Sequence, residues 1–266
     1  MNNQVRSAPT AEESAQYFQC LPVLNAAERI KPVMIRARSA DMSDESEGDQ
    51  DIGKVSKDAP AIVAFADGVS AENREAVLLG VQLAETVASK KTDIEKDPIE
   101  WLRHYAEALR YAGWLTLGGH EYGSYTTTDK SLTMDSVVLE LIGAVAGPNA
   151  ATVASLMGLV LDKLQKNDPL MKLFEGKSKR GSLARFRIMP CVESGQGIPV
   201  TYLLSMHCEY KSSSGGALFW KWSVTQLEIK RLAKGVEFSK ATFENNRQYI
   251  LEYLSGDAKD FFEGLK

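Results

Sequence analysis

Three cysteines, three histidines and a scatter of carboxylates are the side chains of this sequence whose types could do chemistry. His104, His120 and His207 stand far apart, with no pair at metal-ligand spacing and no HExxH or CxxC companion. A metal centre is not expected. Glu121 with Asp135, and Asp67 with Glu72, have nothing in their spacing that separates an acid and base pair from solvated surface carboxylates. There is no GxSxG elbow. Gly118-Gly119, Gly195-Gln196-Gly197 and Gly215-Gly216 lack the GxGxxG or GxxxxGK order that cradles phosphate at a helix N-terminus, so they read as turns.

Cys20, Cys191 and Cys208 are odd in number and widely spaced, unlike the disulfide framework of a small secreted domain, so at least one thiol is expected to be free. Cys208 is the informative one. If Thr201 to Tyr210 is a strand, Tyr202, Leu204, Met206, Cys208 and Tyr210 share one face, and Thr201, Ser205, His207 and Glu209 share the other. The thiol is then expected in an apolar layer. His207, its neighbour in the strand, projects the opposite way and is poorly placed as its base, so a Cys-His nucleophile would need His104 or His120 to approach from elsewhere. Two readings stay open. An inert core residue is the commonest fate of such a thiol, and the other is a thiol that carries or transiently accepts an apolar adduct housed in that layer.

The elements that must position these residues follow from periodicity and caps. Thr10 with Glu13 is a capping box for a short helix to Gln19, followed by an extended stretch through Val33, Ile35 and Ala37. Acidic, serine-rich residues from Ser39 to Gln50 cannot offset their ordering entropy by burial, and a mobile surface loop is expected over about 39–56. Ala61 to Ala66 is a buried strand or helical turn. Ser70 caps a helix with Val77, Leu78, Val81, Leu83 and Ala84 in its stripe, and Pro98 opens another that Gly113 ends. The segment WLTLGGHEYGSYTTT reads as a strand and an irregular turn or hairpin. Two apolar helices, Met134 to Val145 and Ala151 to Leu164, are joined by Gly147, Pro148 and Asn149 into a helical hairpin. Each arm is about half the ~20 residues that a membrane span needs, and Glu140 interrupts the first, so a buried core hairpin is expected. From Ala184 the period becomes two. Phe186 to Val192, Pro199 to Tyr210 and Leu218 to Ile229 read as an antiparallel meander, and a helix from Phe243 to Leu254 closes the fold with Tyr249, Ile250 and Tyr253 inward.

The fold class expected is mixed α+β, α/β in the broad sense: one globular domain over 1–266, with helices around an antiparallel meander sheet formed by the C-terminal half. With 266 residues, 44% hydrophobic and a formal charge of −4, the chain is an ordinary globular protein with no general attraction to nucleic acid. The polar start, Met1 to Thr10, lacks the apolar core of a secretory signal, so the expected location is cytoplasmic, or outside the cell by another route.

The run YAGWLTLGGHEYGSYTTTDKSLTMDSVVLELIGAVAG, the strand ending MHCEY and the LFWKW strand followed by FENNRQYILEYL resemble bacterial virulence factors of the Erwinia virulence factor (Evf) type, over roughly Ala59 to Leu254. The resemblance implies an α/β protein with palmitate in thioester linkage to one cysteine. It matches Cys208, since Cys20 lies outside the matched region and Cys191 follows Pro190 near a strand end. An acyl chain there would be lined by Leu204, Met206, Val138, Leu141, Leu156 and Leu159. It would be a stored lipid if enclosed, or an anchor at a host membrane if extruded, with Lys172, Lys177, Lys179 and Arg180 as a second, electrostatic signal. The rivals are a cysteine-dependent acyltransferase or thioesterase with Cys208 as nucleophile, and a non-acylated toxin or binding module.

Overall fold

The structure, a computed structural model, describes residues 7–24, 32–37, 50–56, 61–116, 123–127, 134–167, 169, 172, 179–180, 183–212 and 224–255. Among these a nine-stranded sheet runs in the order β1 (Pro32–Ala37), β2 (Gln50–Ser56), β3 (Ala61–Phe65), β7 (Leu183–Glu193), β8 (Pro199–Ser212), β9 (Val224–Phe238) and β4 (Trp114–Thr116). Two short strands fill gaps at its flanks: β5 (Gly123–Thr127) also pairs with β9, and β6 (Lys179–Arg180) with β7. All pairs are antiparallel except β3 with β7, which is parallel.

The expected meander is the centre of this sheet, β7–β8–β9, and strands from the first half of the chain extend it on both sides. Three boundaries differ from expectation. Residues 50–56, assigned to the mobile loop, form β2, because Gly53 to Val55 find a ladder on β3 and the whole segment finds one on β1. Residues 38–49 lie outside the described residues. The described part of the third strand runs from Val224 and continues nine residues past Ile229 to Phe238; the segment 213–223, which holds the expected start at Leu218 and LFWKW, lies outside the described residues. Finally, β4 and β5 are not a hairpin. Both run antiparallel to β9, at Val236 to Phe238 and at Leu227 to Arg231, and residues 117–122 between them lie outside the described residues.

The helices form where caps and stripes predict them. Thr10 closes a complete capping box on α1 (Ala11–Gln19), and Ser70 accepts from Asn73 N at the start of α2 (Ala71–Lys91). Asp97 and Pro98 start α3 (Pro98–Tyr111), which ends at Gly113 with φ +90°. Then α4 (Met134–Ala146), a 3-10 turn (Gly147–Asn149) and α5 (Ala150–Lys166) make the helical hairpin, and α6 (Lys240–Ser255) closes the chain.

The helices cover the two sheet faces separately. On one face Arg187 of β7 pairs with Glu85 of α2 at 3.0 Å and lies over the rings of Trp101 and Tyr105 of α3. The Tyr105 hydroxyl donates to Met189 Sδ at 3.1 Å. Against this layer α6 and α1 are tied by Asn246 Nδ2 donating to Tyr111 O, by Tyr17 stacked on Tyr111 at 3.8 Å and by Phe18 stacked on Tyr249 at 5.3 Å. The other face receives the α4–α5 hairpin, with α4 against β8 and β9 and α5 against β3 and β7. The result is a three-layer α/β/α arrangement with cores on both sides of one sheet.

Candidate functional site

Cys208 lies near the end of β8, its backbone paired with Ala184 of β7 and Ile229 of β9. From Val200 to Lys211 the β8–β9 register holds without a shift, so Cys208 has the same parity as Tyr202, Leu204 and Met206. Tyr202 shows which layer that parity faces. Its hydroxyl donates to Ala146 O at 3.3 Å and accepts from Asn149 Nδ2 at 2.8 Å, so it meets the turn of the α4–α5 hairpin. The ladder between β7 and β8 skips Met189 and Pro190, opposite Tyr202, because proline has no N–H to donate, and resumes in the same register beyond them. The side chains of residues 204–212, Cys208 and His207 included, lie outside what the structure describes.

From the hairpin, Val138, Leu141 and Leu156 are buried against the sheet, with Val137, Val153, Met157 and Val160 completing the apolar layer. Leu159 departs from the expected lining. It is 46% exposed and stands on the outer side of α5, because the buried stripe of that helix runs through Val153, Leu156, Met157, Val160, Leu161 and Leu164. No described helix is long and apolar enough to cross a membrane.

The histidines do not assemble around this position. His104 belongs to α3, on the opposite side of the sheet, with Nε2 3.3 Å from Glu100 Oε1 and Nδ1 3.7 Å from Glu107 Oε2. His120 lies outside the described residues, as does Glu121. Asp67 and Glu72 are both exposed, and Glu72 pairs with Lys240 at 2.7 Å, as solvated carboxylates do. The side chain of Asp135 lies outside the described set.

The other thiols have distinct environments. Cys20 is exposed at the end of α1. Cys191 is buried between Phe65 and Thr201 in the ladder, its Sγ 3.8 Å from Val192 O, and burial pushes its thiol up to about 12. Such a thiol is a poor nucleophile at neutral pH.

Of the basic residues, Lys172 is exposed, and Lys177 lies outside the described residues. Lys179 and Arg180 form β6, and Lys179 pairs with Ala184, which pairs with Cys208. Two strand spacings, roughly 10 Å, therefore separate the main chains of Lys179 and Cys208. Sequence reasoning named both and missed their juxtaposition, which needs the β6–β7 pairing.

No protein-family model matches the chain, and no curated protein matches it. Among solved structures the chain is similar to the structure of the Evf virulence factor, at 11% identity, covering 91% of this chain and 88% of that one, with a TM-score of 0.41. A likeness of that degree assigns no family, and the functional reading rests on the chain's own residues.

Proposed function

We propose that this protein is an S-acylated virulence or host-interaction factor that carries a fatty acyl group, palmitate or one of similar length, in thioester linkage to Cys208. The observation that supports the reading is the shift-free β8–β9 register, which gives Cys208 the parity of Tyr202, the residue whose hydroxyl meets the turn of the apolar hairpin. In the loading step the Cys208 thiolate adds to the carbonyl carbon of an acyl thioester; the donor thiolate leaves and takes up a proton. At about 0.8 kcal/mol per buried methylene, a palmitoyl chain gains on the order of 10 kcal/mol from an apolar layer, which decides where it resides.

A carrier is favoured over an acyltransferase because His104, the one candidate base whose side chain is described, sits across the sheet. In this reading the protein acts at a host membrane. A single chain anchors only marginally, and Lys172, Lys179 and Arg180 supply the electrostatic second signal.

Intact-mass measurement on protein from its native host tests the linkage. The expected result is a fatty acyl increment that hydroxylamine removes and Cys208→Ser abolishes. An increment that persists in Cys208→Ser, or none in the native protein, removes the lipid from the account.

A further inference from the structure

Asn149 stands at the N-cap of α5 and does not cap it. The capping side chains at Thr10, Ser70 and Asp97 show what a cap requires here: a non-helical backbone, with ψ 167°, 152° and 82°, and a side-chain oxygen accepting from the backbone N–H three residues on. Asn149 has φ −90° and ψ 4°, and its amide instead donates to the Tyr202 hydroxyl at 2.8 Å. The same hydroxyl donates to Ala146 O, the last residue of α4. One phenol on the sheet thus holds both sides of the hairpin turn, and within that turn Gly147 has φ +51°, a conformation glycine tolerates best.

We infer that α4 is a hinged lid over β8 and β9, latched through Tyr202 and pivoting at Gly147–Asn149. The latch and the cap are alternatives for one side chain. In the closed form Asn149 bonds Tyr202. When ψ of Asn149 rotates to the extended region, the chain direction between α4 and α5 changes, the latch breaks, and Asn149 Oδ1 becomes free to cap α5. The new cap offsets part of the cost of breaking the two Tyr202 bonds and uncovering Val137, Val138 and Leu141, so the open turn is a minor state that the cap makes less costly.

The layers differ in the way such a hinge requires. Among the described side chains, the α2–α3 layer is fastened to the sheet by the Arg187–Glu85 pair and the Tyr105–Met189 contact, whereas Val137, Val138 and Leu141 of α4 are apolar and the Tyr202 latch holds its end. Opening uncovers the face of β8 on which position 208 lies. The device stands whether or not Cys208 is acylated.

Amide hydrogen exchange on the full chain tests it, with α2 and α3 as internal reference. Tyr202→Phe is expected to speed exchange across α4 by about 5- to 100-fold, the worth of the two hydrogen bonds lost, with α2 and α3 unchanged. Asn149→Ser retains a cap for the open form and loses the latch, so it is expected to speed α4 more than Asn149→Ala, which has neither. Unchanged α4 exchange in Tyr202→Phe overturns the latch, as does acceleration of α2 and α3 in step with α4. Asn149→Ala opening α4 as much as or more than Asn149→Ser overturns the exchange of latch for cap.

Discussion

Arg187 and Glu85, each with a side chain only 2% exposed, carry charge into the interior between the sheet and two helices. Their 3.0 Å contact and the Trp101 ring 4.3 Å from the guanidinium carbon replace part of the lost hydration, while Arg187 Nε has no hydrogen-bond partner. Removing the cation alone leaves a carboxylate in apolar surroundings. Arg187→Met is therefore expected to cost about 3–5 kcal/mol in urea unfolding, and Glu85→Leu with Arg187→Met to recover most of it. A double variant as unstable as the single one would show that the pair itself stabilises the fold. Cys191 gives a second prediction. Its folded pKa is raised from about 9 to about 12, so its contribution to stability is full below pH 9 and lost as pH rises from 9 to 12. Under native conditions at pH 8 a thiol reagent is expected to modify Cys20 quickly and Cys191 only on unfolding; equal labelling of both would contradict the burial. The alternation that exposed Cys208 in the sequence said less about Cys191, because what raises its pKa is the layer around β3 and β7, brought together from residues more than a hundred positions apart.

Helix α2 shows how an element can depend on one absent side chain. A Cβ at Gly80 would meet Trp114 Nε1 at 2.7 Å and the Ala112 methyl at 3.2 Å, and Trp114 is itself buried against Phe238. Gly80→Ala gains about 1 kcal/mol of helix propensity but overpacks a rigid indole at about 1–3 kcal/mol, so a net loss is expected, read as a lower thermal midpoint. A higher midpoint would mean that the indole can step aside. The first three helices were legible because their ends were marked, with Thr10, Ser70 and Pro98 at starts and Gly113 at a stop, and the hairpin helices were legible from their apolar runs alone. Strands without a stripe were not. Gln50 to Ser56 alternates too weakly to stand out from the acidic run before it, and it becomes β2 through pairing on both sides. Lys230 to Phe238 mixes charges and Gly235 into a strand that β8 and β4 hold in place. The pairing of β4 and β5 with β9 spans more than a hundred residues, and no local turn signal encodes it. The same holds for the Tyr202–Asn149 contact, whose two residues were each visible as a strand position and a turn position.

At the scale of the whole molecule, one sheet serves two helix layers of different character. The layer of α1, α2, α3 and α6 is rich in aromatic rings and buried polar contacts, whereas the hairpin layer is aliphatic. The α2 end is further tied to the sheet where Glu193 Oε2 accepts from Ser70 N at 2.9 Å and from Asn73 Nδ2 at 2.7 Å, contacts that hold the carboxyl below its usual pKa. That tie is present at neutral pH and weakens as pH falls through the depressed pKa, so acid should loosen the α2 end before it affects the hairpin. The layers share strands but not side chains, which sets the expected coupling. Val160→Ala, in the hairpin layer, deletes two buried methyl equivalents and should cost about 2 kcal/mol. Combined with Gly80→Ala on the other side of the sheet, the two losses are expected to add within about 0.5 kcal/mol, because packing effects separated by more than roughly 7–10 Å rarely interact. The double variant should still unfold in one transition, since neither layer can keep its apolar face dry once the sheet melts. Two resolved transitions, or a coupling above about 1 kcal/mol, would mean that the sheet transmits strain between layers, and the hinge at Gly147–Asn149 would then be answerable to α2 as well as to Tyr202.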